Sequence, residues 1–106
     1  MSAATTHSAA KRVAFVTGAS YGIGTATALA LARDGFDVAV SATRIENLAD
    51  TMAKLEAARA RTTAVALDLR SQASIEHAMG VVIGRFGRID VLVNNAGTVI
   101  NKPRSK

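Results

Sequence analysis

Cysteine is absent from the 106 residues, and the sequence has only two histidines, His7 and His77. Without cysteine the chain can form neither disulfides nor a cysteine zinc site, and it has no thiol nucleophile. His77 stands between Glu76 and Ala78, and neither histidine belongs to a cluster with the spacing of metal ligands. We therefore expect no metal site, and the lack of cysteine favours a reducing compartment, so we predict a cytoplasmic protein.

Long apolar runs are also missing. No run approaches the ~20 residues of a membrane span. Residues 1–10 have neither the charged start nor the apolar core of a secretory signal, and we interpret them as a flexible polar tail. We predict no membrane partner.

Aromatic residues make up only 4% of the sequence, which bears on how its formal net charge of +5 is interpreted. Proteins that bind nucleic acids combine a basic stripe with aromatic side chains that stack on bases. The basic residues here are scattered and cluster only at Lys102, Arg104 and Lys106. We expect them to lie on solvated surfaces and predict no nucleic-acid partner.

What the sequence does contain is an alternation of short apolar runs and longer helical segments. The predicted strands have almost continuous apolar residues, as expected of parallel strands covered on both faces: Arg12–Thr17, Asp37–Ser41, Thr63–Leu67 and Asp90–Asn94. Helical periodicity predicts three helices between them, Gly24–Asp34, Ile45–Ala60 and Ser74–Phe86, with Ser71 as the N-cap of the third. The alternation predicts an α/β fold with a Rossmann-like doubly wound parallel sheet of strand order 3-2-1-4, formed by residues 11–106 as one partial dinucleotide-binding domain.

A glycine-rich segment, Thr17 to Gly24, joins the first predicted strand to the first predicted helix. A helix start carries unpaired N–H groups and about half a positive charge, and glycines let a phosphate approach it. We assign tight exit from the strand to Gly18, close approach of a pyrophosphate to Gly22 and close helix packing to Gly24. The predicted pyrophosphate site consists of Gly18, Ser20, Tyr21, Gly22, Ile23 and Gly24. The alternative is a sharp turn that binds no ligand.

The segment Asn94-Asn95-Ala96-Gly97 ends the fourth predicted strand. Together with the glycine-rich segment it resembles the nucleotide-binding half of the short-chain dehydrogenase/reductase family, over nearly everything from Lys11 to Pro103. The resemblance implies that Asn94, Ala96 and Gly97 line the ribose and nicotinamide part of a dinucleotide cofactor. It also implies that Asp68 and Leu69, which follow the third predicted strand, bind the adenine.

The end of the second predicted strand bears on which dinucleotide is bound. An NAD site usually has a carboxylate there, about twenty residues past the glycines, and a cation is needed to bind the 2′-phosphate of NADP. The strand ends in Ser41-Ala42-Thr43-Arg44, with no acid at that place. The planar guanidinium of Arg44 can bind a phosphate, with help from the hydroxyls of Ser41 and Thr43. We predict that NADP(H) is preferred over NAD(H); the alternative is that Arg44 is a surface residue at a helix start.

The resemblance further implies a catalytic Tyr-x-x-x-Lys pair, a serine and an asparagine beyond Gly97, and none of these can be assigned. Tyr21 lies in the glycine-rich segment and is followed four residues later by Thr25, and Asn101 does not match the family's catalytic asparagine. Two hypotheses stay open: the NADP(H)-binding portion of an oxidoreductase acting on a carbonyl/alcohol substrate, or a non-catalytic remnant or truncated gene product. We expect the chain alone to be inactive, and to self-associate through its fourth strand.

Overall fold

Four parallel strands and three α-helices alternate along residues 11–95, the part of the chain that the computed structural model describes. The strands are β1 (Val13–Thr17), β2 (Asp37–Ala42), β3 (Thr62–Ala66) and β4 (Val91–Asn94). The helices are α1 (Gly22–Arg33), α2 (Ala49–Ala57) and α3 (Gln72–Phe86), and a 3₁₀ turn, Ile45–Leu48, precedes α2. The sheet has the order β3-β2-β1-β4, which confirms the predicted α/β class and strand order.

The central strands are buried on both faces because side chains alternate between two core layers. Every residue of β1 and β2 is buried. Val16 faces the layer beneath α1 and α2 with Val40, and Phe15 faces the layer beneath α3 with Val65. Each fully buried side chain of this size stabilises the fold by roughly 1.5–3 kcal/mol, so the centre of the sheet is a rigid platform for the loops that follow its strands.

The predicted helix Ile45–Ala60 is wrong at its start, where the chain forms a 3₁₀ turn before the α-helix. The N–H of Asn47 donates to the carbonyl of Arg44 at 3.0 Å, which is the three-residue spacing of a 3₁₀ turn. Leu48 is buried beneath this turn. The tight turn therefore keeps residues 44–47 beside the carboxyl end of β2.

The ends of α1 and α3 lie within two residues of the predicted ones, whereas α2 ends at Ala57, three residues before the predicted Ala60. α1 begins at Gly22 because Tyr21 has an extended backbone, and α3 begins after Ser71. The hydroxyl of Ser71 accepts the N–H of Ser74 at 3.1 Å, which confirms the predicted cap. No helix among residues 11–95 is long and apolar enough to cross a membrane. The predicted tail, residues 1–10, lies outside the described residues.

Candidate functional site

A cleft of about 800 Å³ opens at the carboxyl edge of the sheet. It lies beside the point where the strand order reverses, between β1 and β4, and open α/β sheets bind their ligands at this place. Its lining includes nine of the predicted site residues: Gly18, Ser20, Tyr21, Gly22, Ile23, Gly24, Ser41, Thr43 and Leu69. The described part of the lining contains no charged side chain.

Two glycines in the first turn of α1 meet different physical requirements. Gly22 has φ +62°, which other residues rarely adopt, and no atom lies within 4 Å of the place where a Cβ would stand. A Cβ on Gly24 would collide with the carbonyl oxygen of Gly18 and would lie 2.9 Å from the Cα of Ala19. Gly24 therefore allows α1 to pack against the loop, whereas Gly22 leaves open the space beside the helix start.

The amino terminus of α1 has no side-chain cap. The side chain of Tyr21 makes no capping hydrogen bond, and the first turn of α1 contains no acidic residue. The first N–H groups of a helix have no partner within the helix and carry a partial positive charge. Since Ser20, Tyr21, Gly22 and Ile23 all line the cleft, the positive end of α1 borders it.

Two buried hydroxyls, those of Thr25 and Thr51, bind the backbone of the loop between β1 and α1 at Ala19. Thr51, on α2, donates to the carbonyl of Ala19 at 2.6 Å, and Thr25, on α1, lies 2.9 Å from the same oxygen. The two hydroxyl oxygens are 3.0 Å apart. The N–H of Ala19 donates to the carbonyl of Ser41 at 2.9 Å. Both backbone polar groups of Ala19 are thus bonded to other elements, and the loop is preorganised without a charged side chain.

Arg44 and Asp68 do not line the cleft and are paired with neighbours along the chain. The guanidinium of Arg44 donates through Nε and Nη2 to Oε2 of Glu46, at 3.1 and 2.9 Å. Asp68 accepts two side-chain hydrogen bonds from Arg70, which lower the pKa of its carboxyl below the usual value. Arg44 and Asp68 are therefore each paired with an opposite charge two residues away.

The two asparagines of the segment Asn94-Asn95-Ala96-Gly97 have different positions in the structure. Oδ1 of Asn94 accepts the hydroxyl of Thr17 at 2.9 Å, so this side chain joins the ends of β4 and β1. Asn95, which the prediction passed over, lines the cleft instead. The alternation of side chains along a strand is the signal that places neighbouring residues on opposite sides. Ala96 and Gly97 lie outside the described residues.

The cleft also contains four further residues that sequence reasoning missed: Thr17, Ala42, Asn47 and Leu67. Asn47 follows Arg44 by three residues, and in a 3₁₀ turn such residues lie on the same side. A correct prediction of the turn would have kept Asn47 close to the carboxyl end of β2, although Arg44 itself does not line the cleft. Leu67 and Leu69 alternate with Asp68 after β3, so two apolar side chains border the cleft and the carboxylate between them does not.

The family model described as short chain dehydrogenase matches residues 12–106. The chain belongs to this family. Among curated short chain dehydrogenase relatives, the L-2,3-butanediol dehydrogenase of Corynebacterium glutamicum is 40% identical over 94 residues, which are 87% of this chain and 36% of that protein. The 3-oxoacyl-[acyl-carrier-protein] reductase of a Synechocystis strain is 42% identical over 87 residues, covering 81% of this chain and 35% of that protein. The chain thus spans about a third of the length of these relatives.

Solved structures show the same similarity. An actinorhodin polyketide ketoreductase crystallised with NADPH superposes with a TM-score of 0.78 and 41% identity, over 82% of this chain and 33% of that one. A metagenomic short-chain oxidoreductase in complex with NADP has a TM-score of 0.76 and 41% identity, over 81% of this chain and 39% of that one. The described sheet and helices therefore have the fold of these short-chain dehydrogenase structures.

Proposed function

We propose that this chain is the NADP(H)-binding portion of an oxidoreductase that acts on a carbonyl/alcohol substrate. The proposal rests on the start of α1, which has no side-chain cap and borders a cleft lined by Gly18, Gly22 and Gly24. This cleft lies where the order of the strands in the sheet reverses. Short chain dehydrogenase relatives with reductase and dehydrogenase names, and neighbours crystallised with NADPH or NADP, support the proposal.

The described residues fit a dinucleotide in three parts. The backbone N–H groups of Ser20, Tyr21 and Ile23 would hold the pyrophosphate, in the space that a side chain on Gly22 would enter. Leu67 and Leu69 offer apolar surface to the adenine, with Asp68 between them. Asn95 and Thr17 offer polar groups at the ends of β4 and β1. When bound, the nicotinamide supplies the hydride-transfer chemistry.

The proposed preference for NADP(H) rests on Arg44. It is the first cation after β2, and its exposed guanidinium stands next to Thr43, which lines the cleft. A 2′-phosphate offers acceptors that suit this planar group, and the hydroxyls of Ser41 and Thr43 are nearby in the chain. Losing one such charge-assisted contact costs about 1.5–3 kcal/mol, which is more than tenfold in affinity.

The proposal is tested by titrating the chain with NADPH and NADH, measuring heat or nucleotide fluorescence. We expect tighter binding of NADPH, and a selective loss of NADPH affinity in Arg44→Ala. Gly22→Val should abolish binding of both nucleotides while the far-UV circular dichroism stays largely unchanged. The new Cβ meets no other part of the protein, but valine is strained at φ +62°, so urea unfolding of the variant measures the cost in stability separately from binding. Retained binding in Gly22→Val would show that the pyrophosphate site lies elsewhere.

The second candidate function is nucleotide binding without catalysis. Tyr21 is the one tyrosine of the sequence, and it lies at the start of α1 rather than in a Tyr-x-x-x-Lys pair. A general acid for a carbonyl reduction needs a tuned pKa beside the reacting atoms. We propose that the 106-residue polypeptide assayed alone oxidises no NADPH with ketones or aldehydes. If the wild-type polypeptide oxidised NADPH and Tyr21→Phe abolished this activity, the proposal would be contradicted.

We also propose that the polypeptide self-associates at β4. This strand pairs with β1 on one side, and Leu92 is 56% exposed. A shelf of about 570 Å³ lies between Val93 and apolar residues of α1, Ala30 and Leu31. Unpaired strand edges with apolar surface recruit other strands. Light scattering of the purified polypeptide should show a dimer or larger species; a monodisperse monomer would contradict the proposal.

A further inference from the structure

An acid that the sequence prediction did not consider stands beside the cation proposed for the 2′-phosphate. Oε2 of Glu46 accepts both Nε and Nη2 of Arg44, at 3.1 and 2.9 Å. The two side chains are 71% and 61% exposed. The N–H of Glu46 itself, and after it the guanidinium of Arg44, lower the pKa of the Glu46 carboxyl, which is therefore charged at neutral pH.

The backbone keeps Glu46 beside Arg44. Both belong to the tight turn that follows β2, which is closed by the hydrogen bond from the N–H of Asn47 to the carbonyl of Arg44. Leu48, at the end of the turn, is 1% exposed and belongs to the core beneath α1 and α2. The carboxylate can rotate away from Arg44, but its Cα stays within the same turn.

A bound 2′-phosphate and the carboxylate of Glu46 would use the same donors. The Nε and Nη2 groups of Arg44 form the edge of the guanidinium that binds oxyanions in a forked geometry, and both already point at Glu46. An exposed pair of this kind is weak and can be displaced by a phosphate. Displacement leaves a second negative charge close to the phosphate, which costs further binding energy.

On the basis of the proposed function, we propose that Glu46 is a specificity-determining residue that competes with the 2′-phosphate for Arg44 and so lowers the preference for NADP(H) over NAD(H). NADH has no 2′-phosphate, so its binding does not require the pair to open. The preference of the chain for NADP(H) then reflects two opposing contributions to the binding free energy of the 2′-phosphate: Arg44 strengthens binding, and Glu46 weakens it.

The test measures NADPH and NADH affinities for the wild type, Glu46→Gln, Arg44→Ala and the double variant. Glu46→Gln removes the charge and keeps the shape. From the strength of exposed ion pairs we expect NADPH affinity to rise about two- to fivefold, and NADH affinity to change less than about twofold. In the Arg44→Ala background the gain should be smaller, since competition for the guanidinium is gone and only the repulsion between Glu46 and the phosphate remains. The gain should also shrink at high salt.

Glu56→Gln is the matched control, because Glu56 is an exposed glutamate on α2 that does not line the cleft. If Glu56→Gln raised NADPH affinity as much as Glu46→Gln, the effect would come from the net charge of the protein rather than from the position of Glu46. That result would overturn the inference. So would an unchanged ratio of NADPH to NADH affinity in Glu46→Gln, a gain of the same size in the Arg44→Ala background, or a weakening of NADH binding alone. If the wild type binds neither nucleotide, the proposed function itself fails, which is a different result from an unchanged ratio.

Discussion

The two ends of the parallel sheet use polar groups in different ways. At the amino end, Oδ2 of Asp90 accepts the N–H of Val13 at 2.8 Å, and Arg88 binds both oxygens of the same carboxylate, at 2.8 and 2.7 Å. At the carboxyl end, the loop after β1 is held by the hydroxyls of Thr25 and Thr51. Charged side chains close the first end, and neutral groups hold the second.

This difference has a consequence for binding. The cleft lies at the carboxyl end, and the described residues of its lining are all neutral, so the partial positive charge at the start of α1 faces no charged side chain of the lining. A charged group holding the loop would compete with a phosphate or repel it. Two ion pairs stand at the border of the cleft, Arg44 with Glu46 and Asp68 with Arg70. The amino end binds no ligand in the proposed function and tolerates a direct ion pair.

Replacing Gly24 by valine should break the carboxyl end most strongly. The new side chain would collide with backbone atoms of Gly18 and Ala19, which cannot move away as a flexible side chain would. Overpacking of this kind costs about 1–3 kcal/mol or more, and we expect nucleotide binding to be lost as well. Urea unfolding and NADPH titration measure the two effects.

The control for this variant is Gly84→Ala, on α3, where no atom lies within 4 Å of a new Cβ. Replacing glycine by alanine inside a helix should stabilise the protein by about 0.5–1 kcal/mol. Stability and binding that survive in Gly24→Val would show that the loop does not depend on close contact with α1.

Removing the hydroxyl pair should have an intermediate effect. Two hydroxyl protons serve three oxygen–oxygen contacts among Thr25, Thr51 and the carbonyl of Ala19, so the group works as a unit. The double variant Thr25→Val/Thr51→Val leaves that carbonyl without its hydroxyl donors, at a cost of about 1–3 kcal/mol in the free energy of unfolding. The two single variants should not add up to the double one.

Thr27→Val is the matched control, because Thr27 lies on α1 outside this hydroxyl group. Denaturant unfolding and NADPH titration should show that Thr27→Val changes little. A double variant as stable as the wild type, with unchanged affinity, would mean that the loop is held by its glycines and by the Ser41 carbonyl alone.

Asp90→Asn should have the smallest effect, and a characteristic pH dependence. The hydrogen bond from Arg88, and after it the N–H of Val13, lower the pKa of Asp90 in the folded protein. A lowered pKa stabilises the fold fully above the ordinary aspartate value of about 4, and this stabilisation is lost as the pH falls through the folded pKa. The wild type should thus be more stable than the variant at pH 7, and the difference should shrink below about pH 4.

Urea unfolding at several pH values measures this, with Asp34→Asn, an exposed aspartate at the end of α1, as the control. A difference between the wild type and Asp90→Asn that is independent of pH would show that shape rather than charge closes the amino end. Nucleotide affinity should be the same in Asp90→Asn and in the wild type, since Asp90 lies at the opposite end of the sheet from the cleft.

Most of the fold could be predicted because it follows from local patterns. The apolar runs of β1 and β2 and the periodicity of α3 determine element type, and the doubly wound pattern of alternating strands and helices then gives the strand order. The start of α2 could not be predicted this way, because the same residues 45–48 satisfy a helical pattern and a tighter turn. The buried Leu48 and the hydrogen bond from Asn47 to Arg44 accompany the tighter turn.

The site divides along the same line. By itself the sequence determined the glycine-rich loop, its position between a strand and a helix, and the cation after β2, since each depends on residues close together in the chain. Only the tertiary structure decided that the hydroxyls of Thr25 and Thr51 both reach the carbonyl of Ala19. It also decided that Asn95 rather than Asn94 lines the cleft, and that the carboxylate of Glu46 accepts the hydrogen bonds of Arg44. Hydrogen bonds and ion pairs require side chains to meet in space within about 3 Å, and neither spacing nor composition specifies that distance.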